Sequence, residues 1–259
     1  MPREEKGKGS KSTEDTKTES TESGKEGKEM IEHRVQGNNL VIASGGLDST
    51  VLLYCVLQHD AKLKVISFNY GQRHVKELSC IKKTCKELRL SHKLVNIRVL
   101  ADLMHSPALT GNGEVPEGHY TAPQQKLTVV PNRNAIMINL AVAYAITNEI
   151  ENIWYAAHWN DRSIYPDCRW EYVHVQDLAI KLGNDNPKLE LHAPFVHKTK
   201  ADIVRIGIVL GVPFENTWSC YKGLKKACGK CGTCVERLEA FALCGIKDPI
   251  EYMKDEERT

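Results

Sequence analysis

No stretch of this 259-residue chain approaches the roughly 20 consecutive apolar residues that a membrane-spanning helix requires. An apolar leader is missing as well. Between Met1 and Met30 there is no aromatic and no branched apolar side chain, only charged, hydroxylated and small ones with one proline. Such a segment buries too little surface to offset its ordering entropy, so residues 1–30 are expected to form a disordered polar tail. Its mixed charges make a poor nucleic-acid arm, and its many acidic residues argue against a mitochondrial-type presequence. Net charge is small too, +2 at pH 7, and offers no bulk attraction to nucleic acid or anionic lipid. These absences lead to the expectation of a cytoplasmic protein with no membrane partner and no argument for a nucleic-acid partner. What remains is 41% hydrophobic and 26% charged, ordinary values for a globular domain.

From residue 31 onward, strand-like and helix-like segments alternate. Leu40 to Ala43, Lys64 to Phe68, Lys93 to Val99 and Ile153 to Ala157 read as buried strands. Thr50 to Gln58, His74 to Leu90, Ala135 to Thr147, Trp170 to Leu182 and Ala201 to Leu210 read as helices. Leu100 to Thr128, rich in Pro, Gly and His, reads as a long loop or lid. The alternation predicts an α/β fold, a mostly parallel open sheet with helices on both faces, whose ligands lie beyond the carboxyl ends of the strands. A division into a tail (1–30), an α/β domain (31–215) and a small helical C-terminal region (216–259) follows.

The first strand runs directly into Ser44-Gly45-Gly46-Leu47-Asp48-Ser49. Glycines let backbone amides approach an anion, and the two serines add hydroxyl donors at a helix N-terminus. This is not the Walker pattern, because no lysine follows the glycines and the spacing is shorter. A phosphate or pyrophosphate, most simply that of ATP, suits the turn.

Nine cysteines occur, and four of them are grouped: Cys228, Cys231 and Cys234 at intervals of three, with Cys220 upstream. Glycine-containing knuckles of this kind gather thiolates around one ion, and zinc is the leading choice. Four thiolates leave no open coordination position, so the metal is expected to hold the fold. Lys222, Lys225, Lys226 and Lys230 offset the charge of such a site. Cys55, Cys80 and Cys85 read as small core residues, whereas Cys168 in a polar loop fits either buried support or a pocket.

Taken in order, these motifs resemble the 7-cyano-7-deazaguanine synthases of queuosine biosynthesis, a branch of the PP-loop ATP pyrophosphatases. The matching elements are the Ser44–Ser49 turn, Phe68-Asn69-Tyr70-Gly71-Gln72-Arg73-His74 with Glu77, Pro131-Asn132-Arg133-Asn134, Asp161 with Tyr165-Pro166-Asp167-Cys168-Arg169, and the four cysteines preceded by Thr217. The polar tail is additional to the family pattern, Ile164 replaces a common glycine, and Trp170 follows the motif with a bulky ring.

The resemblance implies an adenine-nucleotide hydrolase-like fold, usually a homodimer, that makes a nitrile from 7-carboxy-7-deazaguanine, ammonia and ATP. The carboxylate is first adenylated; ammonia displaces AMP to give an amide, and a second activation with elimination gives the nitrile. No protein nucleophile is needed. The implied ATP-binding residues are Ser44, Gly45, Gly46, Leu47, Asp48, Ser49, Arg73 and His74, with Asp48 a direct or water-mediated ligand of Mg²⁺. Ser44, Asp48, Ser49 and Arg133 are the expected catalytic residues, and Cys220, Cys228, Cys231 and Cys234 the expected Zn²⁺ ligands. Arg133, Asp161, Tyr165, Asp167 and Arg169 are the expected deazapurine-binding residues. Two readings of Asp161, Asp167 and Arg169 stand side by side, a substrate-recognition loop and a self-contained ion-pair network. Arg133 suits a phosphate, a substrate carboxylate or a helix cap, and Tyr165 or Trp159 suits stacking on the heterocycle.

Overall fold

Successive residues of a strand face opposite sides of its sheet, and in β1 (Asn38–Ile42) both sides are apolar. Leu40 packs with Ile66, Ile153 and Leu191 on one face, and Val41 with Val65 and Trp154 on the other. A strand buried on both faces needs a layer of helices above and below. The computed structural model, which describes residues 36–59, 62–119 and 122–254, supplies both layers.

The sheet is formed by β1, β2 (Lys62–Asn69), β3 (Ser91–Asn96), β4 (Asn152–Trp154) and β5 (Glu190–His192), in the order β3-β2-β1-β4-β5. Every pairing is parallel, with Leu40 opposite Lys64 on one side and Ile153 on the other. Helices α1 (Leu47–Leu57), α2 (Lys76–Glu87), α5 (Lys200–Val209) and α6 (Gly232–Leu243) bring Leu52, Ile81, Val204 and Phe241 to the Val41 side. Helices α3 (Arg133–Thr147) and α4 (Trp170–Leu182) bring Ile138 and Ile180 to the Leu40 side. The expected open parallel sheet with helices on both faces is therefore present. The chain leaves β1 toward β2 and later returns to β1's other edge as β4, so a crevice opens between the carboxyl ends of β1 and β4.

Several boundaries differ from the sequence reading for local reasons. Helix α1 starts at Leu47 rather than Thr50, because the Ser44–Gly46 turn leads straight into its first turn. The third strand covers Ser91–Asn96, in register with Lys64–Asn69, instead of continuing to Val99. Strand β5 is a three-residue edge element with a polar residue at each end, which gives no periodic signal. Helix α5 is opened by a capping box in which the Asp202 amide donates to the Thr199 hydroxyl at 3.2 Å and the Thr199 amide donates to the Asp202 carboxylate at 2.9 Å. The expected disordered tail, 1–30, lies outside the described residues. The C-terminal segment packs α6 through Phe241 against Phe214, beside α1 and α5.

Candidate active site and metal centre

The Ser44–Ser49 turn sits at the end of β1, at the crevice. The Ser44 amide donates to the Ser49 hydroxyl at 3.2 Å, and the Gly46 amide donates to the Ser44 hydroxyl at 3.1 Å. Gly45 has φ +93°, and a Cβ there would run into the Glu77 carbonyl, so only glycine fits this turn. Its carbonyl accepts from the Trp218 amide at 3.0 Å, which fastens the turn to the segment before the cysteines. The result is a cup of amides and hydroxyls at the start of α1, suited to an anion.

Beside the cup lies a group of buried charges drawn from four places in the chain. The Lys200 ammonium donates to the Asp48 carboxylate at 2.6 Å, lies 3.0 Å from His158 Nε2 and 3.4 Å from the Glu236 carboxylate. His158 in turn lies 3.2 Å from the Asp161 carboxylate. Burial alone would raise the Asp48 pKa, but Lys200 and His158 outweigh it and hold the carboxyl below its usual range. Burial raises Glu236 instead, against the pull of Lys200. One oxygen of Asp48, one of Glu236 and Nδ1 of His158 are buried without a hydrogen-bond partner.

The opposite wall carries Arg133 and a set of hydroxyls. Arg133 donates to the Tyr70 hydroxyl at 3.2 Å and to the Asn134 side-chain oxygen at 3.2 Å. It forms no ion pair among the described residues, so its charge faces the cavity uncompensated. Tyr165 shares its hydroxyl with Thr128 at 2.6 Å and Tyr221 at 3.3 Å. His74 and Glu77 complete this wall, 3.4 Å apart.

The sulfur atoms of Cys220, Cys228, Cys231 and Cys234 lie within 4.8 Å of one another and all four residues are buried. The Cys228 and Cys234 sulfurs are 3.9 Å apart, close to the roughly 3.8 Å edge of a tetrahedron with ~2.3 Å zinc–sulfur bonds. Backbone amides of Lys230 and Cys231 donate to the Cys228 sulfur at 3.4 and 3.3 Å, and the Cys228 amide donates to the Cys220 sulfur at 3.4 Å. Such donors favour thiolates, so the donor set fits a closed Zn²⁺ site.

Comparison with known proteins decides the family. The family model described as "Queuosine biosynthesis protein QueC" matches residues 38–245. A 7-cyano-7-deazaguanine synthase of Caldicellulosiruptor saccharolyticus is 51% identical over 213 residues, covering 82% of this chain and 94% of that protein. The synthase of the same name from Methanoregula boonei is 47% identical, covering 82% of this chain and 98% of its own. That of Archaeoglobus fulgidus is 46% identical over 218 residues, with 84% and 90% covered. The chain belongs to the QueC family.

The QueC match runs from the first residue of β1 to just past α6, and so contains both the cup and the cysteine cluster. Of the residues singled out from the sequence, Ser44, Gly46, Leu47, Asp48, Ser49, His74, Arg133, Asp161 and Tyr165 line one cavity, and Gly45 shapes its floor. Cys168 lines it too, its thiol 3.3 Å from the Tyr155 hydroxyl and pushed up by burial, so it is a neutral thiol. Arg73, Asp167 and Arg169 lie outside the lining. Arg73 donates to the carbonyls of Ala108 (3.3 Å) and Gly113 and so ties down the long loop, and Arg169 donates to the Arg162 carbonyl at 3.0 Å. Trp159 is exposed under the Arg162 guanidinium rather than in the cavity. Sequence reasoning missed Lys200 and Glu236. A lysine and a glutamate on amphipathic helices look like solvated-face residues, and only the fold shows Lys200 set between Asp48 and the buried Glu236.

Proposed function

We propose that this protein converts 7-carboxy-7-deazaguanine, ammonia and ATP to 7-cyano-7-deazaguanine, the activity that its QueC relatives are named for. The observation that carries the reading is the pairing, in one cavity, of an anion cup at the end of β1 with Arg133, a cation in no ion pair among the described residues. A reaction that joins a carboxylate to a nucleotide needs both features. Arg133 binds the substrate carboxylate and turns it toward the α-phosphate. The amides and hydroxyls of Ser44 to Ser49 take up the charge that grows on departing pyrophosphate, where preorganised donors are most effective.

Asp48, with one buried oxygen unpartnered, is the residue that would hold Mg²⁺, whose charge would help neutralise the phosphates. Lys200, beside it, is placed to follow that phosphate charge. Asp161 is assigned to the N–H edge of the deazapurine and Tyr165 to the side of its ring. His74 borders the nucleotide, while Arg73, Asp167 and Arg169 support the loops that close over substrate. Zn²⁺ at the four cysteines is assigned a holding role, since the thiolates leave it no open position. A homodimer in the cytoplasm belongs to the same proposal; the exposed Leu140, Ile146, Val175, Leu178 and Leu182 of α3 and α4 offer apolar surface for it.

The test is direct. Purified protein is incubated with 7-carboxy-7-deazaguanine, ATP, Mg²⁺ and ammonium, and acid, amide and nitrile are separated by mass. Nitrile with AMP is the expected result. Amide that accumulates without nitrile would overturn the dehydration step, and ATP turnover with neither product would overturn the substrate.

A further inference from the structure

Glu77 has no task in the chemistry above, yet it is an enclosed carboxyl on the cavity wall, 8% exposed. The other buried carboxylates of the cavity, Asp48 and Glu236, lean on Lys200. Glu77 does not: among the described residues no lysine or arginine pairs with it, and the group that meets it is the neutral imidazole of His74, 3.4 Å away. Gln72 donates to the same carboxyl at 3.4 Å, and the Ser44 hydroxyl bonds it from the cup.

This wall is continuous. Arg133 bonds the Tyr70 hydroxyl, the Tyr70 ring meets the His74 ring edge-on at 6.5 Å, His74 meets Glu77, and Glu77 meets Ser44. Glu77 thus stands between the group assigned to the substrate carboxylate and the groups assigned to pyrophosphate. The acyl carbon of the adenylate must lie along that span. Nδ1 of His74 is buried there without a hydrogen-bond partner, a vacancy that a small polar molecule at the wall would fill.

We propose that the His74–Glu77 corner is the ammonia subsite and that Glu77 is the catalytic base of amide formation, with His74 as its positioning residue. The inference rests on the adenylation reading above. The nitrogen lone pair forms the C–N bond at the acyl carbon, and the carbon–oxygen bond to AMP breaks, its electron pair leaving with AMP. One proton on the nitrogen, now positively charged, passes to the Glu77 carboxylate, which leaves the neutral amide. The surroundings match this task. Burial pushes Glu77 up to about 8 against the opposing pull of Arg133, Gln72 and Ser44, so near that pH it is a stronger base than an ordinary carboxylate. Burial and Arg133 push His74 down to about 3, so the imidazole stays neutral and does not repel the positive charge that forms on the attacking nitrogen. Tyr221, whose ring lies 5.1 Å from that of His74, and Tyr70 are uncharged, which leaves Arg133 as the charged group facing the corner.

Two half-reactions separate the roles. Substrate-dependent exchange of pyrophosphate into ATP reports adenylation alone, and amide formation reports adenylation plus amine attack. In Glu77→Gln the ratio of amide formation to exchange is expected to fall about 100-fold, the usual size of a lost general base. Hydroxylamine, whose nitrogen after attack is much more acidic than that of ammonia and gives up its proton without a protein base, should restore most of that ratio, which a purely structural defect would not permit. At a fixed concentration of free ammonia, the wild-type amination rate should rise with pH toward about 8, and that limb should vanish in Glu77→Gln. An equal fall in exchange and amination, or no rescue by hydroxylamine, would overturn the assignment of Glu77. Absence of substrate-dependent exchange in the wild type would instead overturn the adenylation reading, and the subsite with it.

Discussion

Glu77 and His74 titrate in opposite senses, and their contributions to stability can be told apart by pH. Burial raises Glu77 from an ordinary 4.5 to about 8, so between those values the folded protein holds a proton that the unfolded chain has released. Raising the pH through that window therefore lowers stability. His74 is shifted the other way, from 6.5 to about 3, so its unfolded form holds the extra proton and stability rises with pH until about 6.5. Above that point only Glu77 of the pair still contributes a slope. Urea melts of the apoprotein at pH 6.5 and 8 should show the wild type weaker at the higher pH by about 1.5 kcal/mol from this carboxyl. In Glu77→Gln that difference should largely disappear. Identical pH dependence in the two proteins would mean that Glu77 ionises normally.

At the scale of elements, α6 links the cysteine cluster to the cavity. Its N-terminal end carries Cys231 and Cys234, Thr233 and Glu236 line the cavity, and Arg237 is buried on the adjoining turn. Arg237 grips Asp248 at 2.6 and 3.0 Å and also donates to the Thr217 hydroxyl at 2.8 Å, which joins the chain's last described residues to the segment before Cys220. A metal held by the cysteines would therefore fix where Glu236 meets Lys200. Chelation, or Cys231→Ser, should remove zinc from the protein, lower stability by more than about 4 kcal/mol and weaken ATP binding together. Full ATP affinity in a zinc-free, folded protein would separate the two sites. The cysteine spacing made this cluster legible, since i, i+3, i+6 contacts are local. The cup was legible for the same reason. Strand β5 was not, because three residues at a sheet edge owe their conformation to pairing with β4 and not to their own pattern.

At the scale of the whole molecule, the cavity exists because the strand order reverses between β1 and β4. Lys200 from α5, Asp48 from α1, His158 from the turn after β4 and Glu236 from α6 meet only through that topology, across sequence separations that carry no motif. This is why the nucleotide turn could be read from the sequence while its lysine could not. The convergence has an energetic consequence. Among the described residues Lys200 is the one ammonium placed between the partly buried Asp48 and the buried Glu236, so Lys200→Met, which keeps most of the side chain's length, leaves both without that cation. Breaking a buried pair in this way costs about 3–5 kcal/mol. The cost should depend on pH, and its direction is fixed. Without Lys200, burial becomes the dominant influence on Asp48, as it already is on Glu236, and both carboxyls hold protons more tightly folded than unfolded. Protonation then relieves the defect, so the loss relative to wild type should be smaller at pH 5 than at pH 8 in denaturant melts. A penalty that stayed constant or grew on acidification would show that Lys200 is not what neutralises this corner of the cavity.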